Sequence, residues 1–377
     1  MDTFVFHLMP YRAVQGEAWP FASDTWDPEV GARYYHEYIE QLELAADLGF
    51  SGLGFNEHHF SCYGLQPAPV VTASYMAART EDVKLGFFGN VLPTRRNPVR
   101  VAEEIAMLDN ISEGRVVSGF PRGIDVEYLA YNIPREESRA RLAEAWDLVV
   151  RTWTADEPFD HHGEFFDFEN VYAWPRPYQQ PHPPLWMPAT SEKSLRFAAE
   201  RESMIATAGP DAEAVGENFD RYVEIAESEF GWSPGPEDFS LTQPVYVAET
   251  DEQAREEARE HLQFFYHRLF TGIHLGEVAR LMGDDEYDPE KREAYVDEFP
   301  PRAKTAVNWD LESAIENGRA LVGSPETVVE QLEGQQEATG GYGMLIGHFQ
   351  FGTLPHEMAK ENIRRYAEEV MPEVSSF

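Results

Sequence analysis

The segment "VKLGFFGNVLPTRRNPVRVAEEIAMLDNISEGRVVSGFPRG", residues 83–123, contains a strand, a helix and a second strand in direct succession. Apolar and β-branched residues at 83–93 and 115–120 are typical of buried strands. Between them, apolar residues recur every three or four positions, which predicts an amphipathic helix over 97–112. This order predicts two parallel neighbouring strands joined by a crossover helix.

The same alternation continues in both directions along the chain. Further strands are predicted at 3–9, 52–55, 184–190, 203–208, 241–249 and 341–349, and further helices at 30–50, 67–80, 136–153, 191–200, 211–230, 251–270, 324–339 and 355–370. Eight strand–helix units predict a closed (β/α)8 TIM barrel of the α/β class. A doubly wound sheet is the alternative, but "MPYRAV" after the first strand has no glycine-rich turn of the dinucleotide-binding type.

Residues 271–309 interrupt the alternation between the seventh and eighth strands. The segment is acidic and contains Pro289, Pro300 and Pro301, with few consecutive apolar residues. We therefore expect a single domain over residues 1–377, with an insertion at 271–309 that is too polar to form its own core. Its position next to the last strands predicts a mobile lid over the active rim of the barrel.

Composition excludes several classes of function. The formal net charge of −37 disfavours binding to nucleic acid or to anionic membranes, both of which require basic patches. No apolar run reaches the ~18 residues of a membrane-spanning helix, and the first residues have no basic leader, so we expect a cytoplasmic protein. Cys62 is the single cysteine, which excludes an internal disulfide and predicts a small buried apolar side chain.

Three adjacent titratable residues, Glu57, His58 and His59, follow the second predicted strand. In a parallel barrel the chemistry takes place at the carboxyl ends of the strands, which is where this triplet lies. The H-E-x-x-H spacing of a zinc site is absent, so no metal site is expected. A histidine here is suited to general acid/base work, and a solvated loop or structural histidines are the alternative.

A second group of polar residues follows the fourth and fifth strands. Arg122 lies between Gly119 and Gly123, which predicts close approach of a ligand to the backbone. Thr190 and Ser191 lie at the start of the next helix, where capping is the default interpretation. A guanidinium beside a hydroxyl-bearing helix start is also suited to binding a phosphate dianion, which predicts a phosphorylated cofactor across strands two to five.

Several motifs together resemble those of one known family. They are "FNEHHF" (55–60), "NVLPTRRNPVRVAEEIAMLDNISEGRVVSGFPRG" (90–123), "ATSEKSLRFAAER" (189–201), "LVGSPETVVEQL" (321–332) and "HFQFGTLPHEM" (348–358). In order and spacing the chain resembles the bacterial luciferase-like, flavin-dependent monooxygenases of the alkanal monooxygenase type. The resemblance covers nearly the whole chain, with a gap at roughly residues 270–315.

The resemblance implies roles for individual residues. His58 falls on the family's catalytic histidine, with His59 and Glu57 beside it. Phe88 and Gly89 match a pair whose non-proline cis peptide lies against the flavin ring. Thr190 and Pro121 replace, respectively, a carboxylate beside the phosphate and a reactive cysteine. The phosphate-binding positions correspond to Arg122, Arg139, Ser191 and Ser194.

The activity implied is that of an FMN-dependent monooxygenase. Reduced FMN would be the cosubstrate, and dioxygen would add to it as a C4a-hydroperoxide that oxygenates a small hydrophobic aldehyde or ketone. Light emission is not expected, because the reactive cysteine position is occupied by Pro121. A flavin reductase and a second copy of the chain, docked through the helices after strands two and three, are the expected partners. A flavin- or deazaflavin-dependent dehydrogenase or reductase on the same barrel, and a non-catalytic flavin-binding protein, remain alternatives.

Overall fold

Eight parallel strands close into a barrel in the computed structural model, which describes residues 1–14, 16–21, 23–207, 211–375 and 377. The strands in chain order are β1 (Asp2–His7), β2 (Gly52–Phe55), β3 (Lys84–Phe87), β4 (Val116–Gly119), β5 (Phe159–His162), β6 (Asp167–Val171), β7 (Leu185–Pro188), β8 (Met204–Thr207), β9 (Phe239–Val247), β10 (Leu321–Gly323) and β11 (Met344–His348). Around the barrel the order is β1, β2, β3, β4, β7, β8, β9 and β11, with β11 pairing back onto β1. The predicted TIM barrel is confirmed, because an open doubly wound sheet would leave two unpaired edges.

Helices surround the barrel. They are α1 (Pro28–Asp47), α2 (Pro69–Ala77), α3 (Pro98–Ile111), α4 (Asp125–Tyr131), α5 (Ser138–Thr154), α6 (Glu192–Ala199), α7 (Ala212–Ile225), α8 (Asp251–Gln263), α9 (Thr271–Leu281), α10 (Arg292–Asp297), α11 (Pro301–Val307), α12 (Leu311–Glu316), α13 (Pro325–Thr339), α14 (His356–Arg365) and α15 (Met371–Val374). Residues 264–270 continue α8 as a π-helix up to α9. Among the described residues, no helix is both long and apolar enough to cross a membrane.

Local sequence explains the boundaries of α3. The Asn97 side chain accepts a hydrogen bond from the Arg100 N–H at 3.1 Å, and Pro98 occupies the first turn.

The preceding strand, β3, ends at Phe87, six residues before the predicted end at residue 93. Residues 88–93 instead bend across the barrel mouth, which brings the Val91 N–H to a carboxylate of the β2 loop.

Three of the described strands, β5, β6 and β10, lie outside the closed barrel and were not predicted. β5 and β6 form an antiparallel hairpin between α5 and β7, in a stretch for which no strand was predicted. His161 on this hairpin contacts Glu144 of α5 at 3.0 Å, so the hairpin is held to the barrel wall. β10 adds three residues to the edge of β9. Ala208, the predicted last residue of the sixth barrel strand, lies outside the described residues.

The insertion at 271–309 lies between the seventh and eighth barrel strands, as expected, but it is largely helical. Contrary to the expectation for so polar a segment, α9, α10 and α11 form a small cluster of their own, made of Leu275, Val278, Ala279, Tyr295, Phe299 and Ala303. Helix α9 is buried from Thr271 to Ala279. Gly276 lets it approach the 16–20 loop, since a Cβ there would lie 1.6 Å from the Trp19 carbonyl oxygen.

Candidate active site

Glu57 joins the loops that follow β2 and β3. Its side chain is fully buried, and its Oε2 accepts hydrogen bonds from the Val91 N–H at 3.1 Å and from the Arg95 guanidinium at 2.5 Å. Its Oε1 accepts from Nε2 of His59 at 2.6 Å. Three donors on one buried carboxylate fix the position of both loops at the barrel mouth.

His58 pairs with a different carboxylate. Its Nδ1 lies 3.0 Å from Oε1 of Glu127, a fully buried side chain on α4 whose Oε2 accepts from the Ile124 N–H at 3.0 Å. An ionised carboxylate only accepts, so Nδ1 of His58 carries the proton and Nε2 presents a lone pair. Nε2 has no protein partner within the described parts of the chain. The arrangement is an oriented imidazole with one nitrogen available to accept a proton.

His59 is the more enclosed of the two histidines. Its side chain is 5% exposed against 17% for His58, and its ring lies between Glu57 and Tyr131. The Tyr131 hydroxyl lies 3.0 Å from Nδ1, so both ring nitrogens are occupied by protein groups. The geometry therefore assigns His59 to holding the loop and leaves His58 as the residue able to exchange a proton.

Sequence reasoning missed Glu127. A carboxylate beside two histidines is expected to orient the imidazoles or to brace the strand end; Glu57 contacts His59 and joins the two loops, whereas His58 is bound by Glu127. The sequence does contain a weak signal, because Glu127 is the third residue of α4, where its carboxylate accepts from the Ile124 N–H ahead of the helix. That position predicts a capping residue and nothing about a partner 69 residues earlier in the chain.

Arg122 and Arg139 are neighbouring cations. Neither guanidinium has a hydrogen-bond or ion-pair partner among the residues that the structure describes. The pKa of Arg139 is lowered, first by burial and then by the positive charge of Arg122, so the two side chains share one region. They form no ion pair among the described residues, although Asp125 is near enough for the positive charge of Arg122 to oppose the rise of the Asp125 pKa. In a chain of net charge −37, two neighbouring guanidiniums of this kind are suited to binding an anion.

The glycines on either side of Arg122 have a structural role. A Cβ at Gly119 would lie 2.1 Å from the Phe87 carbonyl oxygen, and one at Gly123 would lie 2.5 Å from Cγ1 of Val91. Gly123 also has a φ of +92°, which disfavours any residue with a side chain. The expectation that these glycines admit a ligand is therefore corrected, because the close neighbours are protein atoms.

Ser191 and Ser194 cap helix α6. The Ser191 Oγ accepts from the Ser194 N–H at 3.3 Å, and the Ser194 Oγ accepts from the N–H groups of Ser191 at 2.9 Å and Thr190 at 3.2 Å. The default capping interpretation of Ser191 is thus confirmed. The helix begins directly after β7, which neighbours β4 in the barrel, so these hydroxyls and Arg122 follow adjacent strands.

Phe88 and Gly89 lie at the barrel mouth, but the peptide bond between them is trans. The cis bonds in the described residues all precede proline, so the expected non-proline cis peptide is wrong for this structure. The Phe88 ring is buried, 5.3 Å from Phe4 and 4.8 Å from Trp186. A Cβ at Gly89 would lie 2.3 Å from the Glu57 backbone nitrogen, so a glycine is needed where these two loops touch.

An apolar cleft of about 470 Å³ adjoins the loop after β2. Its lining includes Tyr11, Trp19, Trp26, Phe60, Cys62 and Leu65. Burial raises the pKa of the Cys62 thiol to about 12, so Cys62 is an inert apolar residue here, as predicted. The cleft provides an apolar surface within a few residues of His58.

A closed parallel barrel with buried carboxylate–histidine pairs on its carboxyl rim is an enzyme scaffold of the TIM-barrel class. The profile of the family described as luciferase-like monooxygenase matches residues 19–342. The chain belongs to this family, and its named relatives are oxidoreductases.

Two curated relatives cover most of the chain. The oxygenase component of the flavin-dependent trigonelline monooxygenase of Acinetobacter baylyi is 26% identical over 360 residues, 93% of this chain and 92% of that one. Limonene 1,2-monooxygenase of Rhodococcus erythropolis is 26% identical over 317 residues, 82% of this chain and 74% of that one.

Solved structures share the whole fold. Monooxygenase RslO1 from Streptomyces bottropensis superimposes with a TM-score of 0.75 at 28% identity, covering 99% of both chains. The oxygenating constituent of 3,6-diketocamphane monooxygenase from Pseudomonas putida, in complex with FMN, gives a TM-score of 0.77 at 22% identity over 99% of this chain and 98% of that one. At 22% identity, the similarity to the 3,6-diketocamphane monooxygenase constituent shows a shared fold and nothing more.

Proposed function

We propose that the protein is an FMN-dependent monooxygenase that oxygenates a small hydrophobic aldehyde or ketone. One observation carries the proposal: the unpaired guanidiniums of Arg122 and Arg139 lie on the same rim as the His58–Glu127 pair. The first pair is suited to a phosphate and the second to proton transfer. The relative named a flavin-dependent monooxygenase and the neighbour solved with FMN support this choice of cofactor.

In the proposed site, Arg122 and Arg139 bind the FMN phosphate, which relieves their mutual repulsion. The hydroxyls of Ser191 and Ser194 rotate from each other towards the phosphate oxygens, next to the start of α6. Thr190 brings no charge to this end of the site. Phe88 and Gly89 provide the surface beneath the ring. Reduced FMN, when bound, supplies the electrons that activate dioxygen.

The proton chemistry belongs to His58. Nε2 takes or returns a proton at the reacting oxygen, while Glu127 keeps Nδ1 protonated and stabilises the imidazolium that forms. Glu57 and His59 position the loop that carries His58. The buried rings at the barrel mouth exclude water from the reacting groups.

Substrate-dependent dioxygen consumption tests the proposal. Purified protein is mixed anaerobically with reduced FMN and then with aerated buffer containing an aldehyde, a ketone or no substrate. We expect oxygenated product in proportion to dioxygen consumed, from one substrate class and not from the blank. Reoxidation of FMN at the same rate in all three mixtures, without product, would contradict a monooxygenase.

Hydride transfer without dioxygen is the second candidate. A coenzyme F420-dependent tetrahydromethanopterin reductase from Methanopyrus kandleri and an F420-dependent secondary alcohol dehydrogenase share the fold, with TM-scores of 0.66 and 0.67 at 18% and 16% identity. The anaerobic mixture described above also distinguishes the dehydrogenase from the monooxygenase. Reduction of a ketone by reduced flavin or deazaflavin without air supports the dehydrogenase. The monooxygenase requires air for any product.

A separate flavin reductase is the proposed source of reduced FMN. The trigonelline relative is named as an oxygenase component, which supports a two-component system. Because reduced flavin reoxidises in air, both components must share a compartment, and we propose the cytoplasm. Product formation that requires an added reductase and reduced nicotinamide, with oxidised FMN as the starting flavin, tests the pairing.

We propose a homodimer formed through α2 and α3. Four apolar side chains are exposed on these helices: Val71 (68%), Tyr75 (47%), Met107 (57%) and Ile111 (59%). A two-fold pairing of this face would bury all four in both copies. The Met107→Asp variant should sediment at a lower mass than the wild type, whereas Met282→Asp, on the insertion, should not. A wild-type monomer at micromolar concentration would contradict the dimer.

The insertion at 271–309 is the proposed lid. Helix α9 packs against α4, which carries Glu127, so the insertion is in contact with the element that holds the proposed base. Residues 281–294 are its most exposed part. Protease cleavage should therefore concentrate at 281–294 and slow when FMN and a ketone are both bound. Equal cleavage rates with and without them would indicate fixed packing.

A further inference from the structure

His348 ends the last barrel strand and faces the barrel interior. In the parallel pairing of β1 with β11, Val5 lies opposite Gly347. The next residue on each strand is Phe6 and His348, so these two are neighbours. The rings of Phe6 and His348 are 4.9 Å apart. Neighbouring residues in parallel strands point to the same side, and a Cβ at Gly54 would touch the Phe6 ring at 2.9 Å across the interior.

The rings around His348 continue to the proposed base. Phe265, on the helix after β9, lies 6.4 Å from His348 and 5.6 Å from Tyr63. Tyr63 in turn contacts His58 at 4.7 Å. On the other side, Phe6 lies 6.2 Å from Phe88. His348 is therefore the polar member of an aromatic wall around the barrel mouth that begins at His58.

Nε2 of His348 is buried and has no hydrogen-bond partner in the described residues. Buried polar atoms in native proteins are nearly always paired, because an unpaired one loses its hydration without compensation. Other buried histidines in this chain follow that rule: Nε2 of His7 contacts Gln41 at 2.9 Å, and Nδ1 of His261 contacts Thr353 at 2.8 Å. Besides the more exposed Nε2 of His58, the described residues thus leave this buried imidazole nitrogen at the barrel mouth to be satisfied by another molecule.

His348 carries no charge at neutral pH. Burial, and to a smaller extent the neighbouring His7, lower the pKa of His348 to about 3. A neutral imidazole has one N–H, which rests on either nitrogen, so Nε2 can donate to a neutral acceptor. It has no charge of its own, so it offers an anionic ligand a hydrogen bond but no ion pair to offset the cost of burying the charge.

The position of His348 separates it from the proposed phosphate site. In the closed order of eight strands, β11 lies diametrically opposite β4, the strand that leads to Arg122. A cofactor whose phosphate binds Arg122 and Arg139 is therefore anchored on the side of the barrel opposite His348. The wall of β11 and β1 remains for the substrate.

We propose that Nε2 of His348 donates a hydrogen bond to the carbonyl oxygen of a neutral substrate and so positions it in the barrel mouth. The inference rests on the proposed function and assigns the group that binds the carbonyl oxygen of its substrate. His348 is a positioning residue for this reaction. The transferable proton remains with His58.

Two isosteric probes test the assignment. Cyclohexanone offers a carbonyl oxygen, and methylenecyclohexane has the same shape with a CH₂ group in its place. With FMN bound, cyclohexanone should shift the side-chain ¹⁵N resonance of His348, and methylenecyclohexane should not. The His348→Phe variant should bind cyclohexanone about tenfold more weakly, the range of one hydrogen bond, with unchanged affinity for methylenecyclohexane and FMN. His348→Gln, which keeps a donor, should recover part of the loss.

Stability provides the control for folding. Because Nε2 of His348 has no protein partner, His348→Phe should melt at the wild-type temperature or above it. His261→Phe removes an existing hydrogen bond from an enclosed histidine and should melt lower. A His348→Phe protein that binds cyclohexanone as the wild type does, or a wild type that binds no ketone, overturns the assignment of His348. Weaker FMN binding by His348→Phe would place the cofactor there and overturn it as well. Failure of the wild type to bind FMN would instead refute the proposed function.

Discussion

The buried carboxylate of Glu57 predicts a large loss of stability on the substitution Glu57→Gln. The amide keeps the shape but has one acceptor oxygen, whereas Arg95, Val91 and His59 all donate to the carboxylate. The donor side that faces the amide NH₂ loses its acceptor, the remaining hydrogen bonds lose the charge of the carboxylate, and the Arg95 charge loses its partner, so we expect a total of about 2–3 kcal/mol. With an unfolding entropy of about 0.8 kcal/mol per kelvin for 377 residues, Tm should fall by about 3–4 °C.

Glu104→Gln is the matched control. Glu104 accepts from Arg100 at 2.8 Å, a geometry similar to that of the buried pair, but the two side chains are 36% and 66% exposed. Both variants remove one negative charge from a chain that is strongly negative overall. The resulting decrease in charge repulsion is therefore the same in both and cancels when their Tm values are compared. Water screens the exposed pair, so its loss should lower Tm by less than about 1 °C. Differential scanning calorimetry at pH 7 measures both, and equal shifts would refute the argument that burial makes Glu57 a structural anchor.

The remaining predictions concern chemistry and pH. His58→Ala should lower turnover by about 10²–10⁴-fold with FMN affinity largely intact, and a greater loss in His59→Ala would reverse the assignment within the pair. Arg122→Ala should weaken FMN binding by about 2 kcal/mol in fluorescence quenching, and Arg135→Ala, which removes a guanidinium already paired with Asp125, should weaken it less. Burial, then the hydrogen bond and repulsion from Glu277, raise the pKa of Asp125 to about 6, and a raised carboxyl pKa means that the folded state holds its proton more tightly. Deprotonation of Asp125 should therefore lower the stability of the wild type by about 1–3 kcal/mol as pH rises from about 4 to 6. Asp125→Asn does not titrate, so its Tm minus that of the wild type should increase over that interval. A constant Tm difference would contradict the raised pKa of Asp125.

The periodicity of the chain was enough to predict the barrel and the rim. The eight strands and the helices between them follow from apolar patterns of a few residues, such as the buried run at 115–120 and the Asn97–Pro98 helix start. Once the strands are parallel, their carboxyl ends share one rim, so the triplet beginning at Glu57 and the loop containing Arg122 are placed near each other by topology alone. These inferences need only local information.

The pairing of side chains was decided by tertiary structure. Glu127 meets His58 across 69 residues, because α4 folds back over the loop after β2. Nε2 of His348 becomes buried, without a hydrogen-bond partner among the described residues, only when β11 closes against β1 at the other end of the chain. Likewise, the polar insertion forms a helical cluster because α9 is buried between the 16–20 loop and α4, although its composition predicts an irregular segment. Burial and hydrogen bonding between distant residues depend on the packed arrangement of the whole barrel, and local sequence periodicity contains no information about those distances.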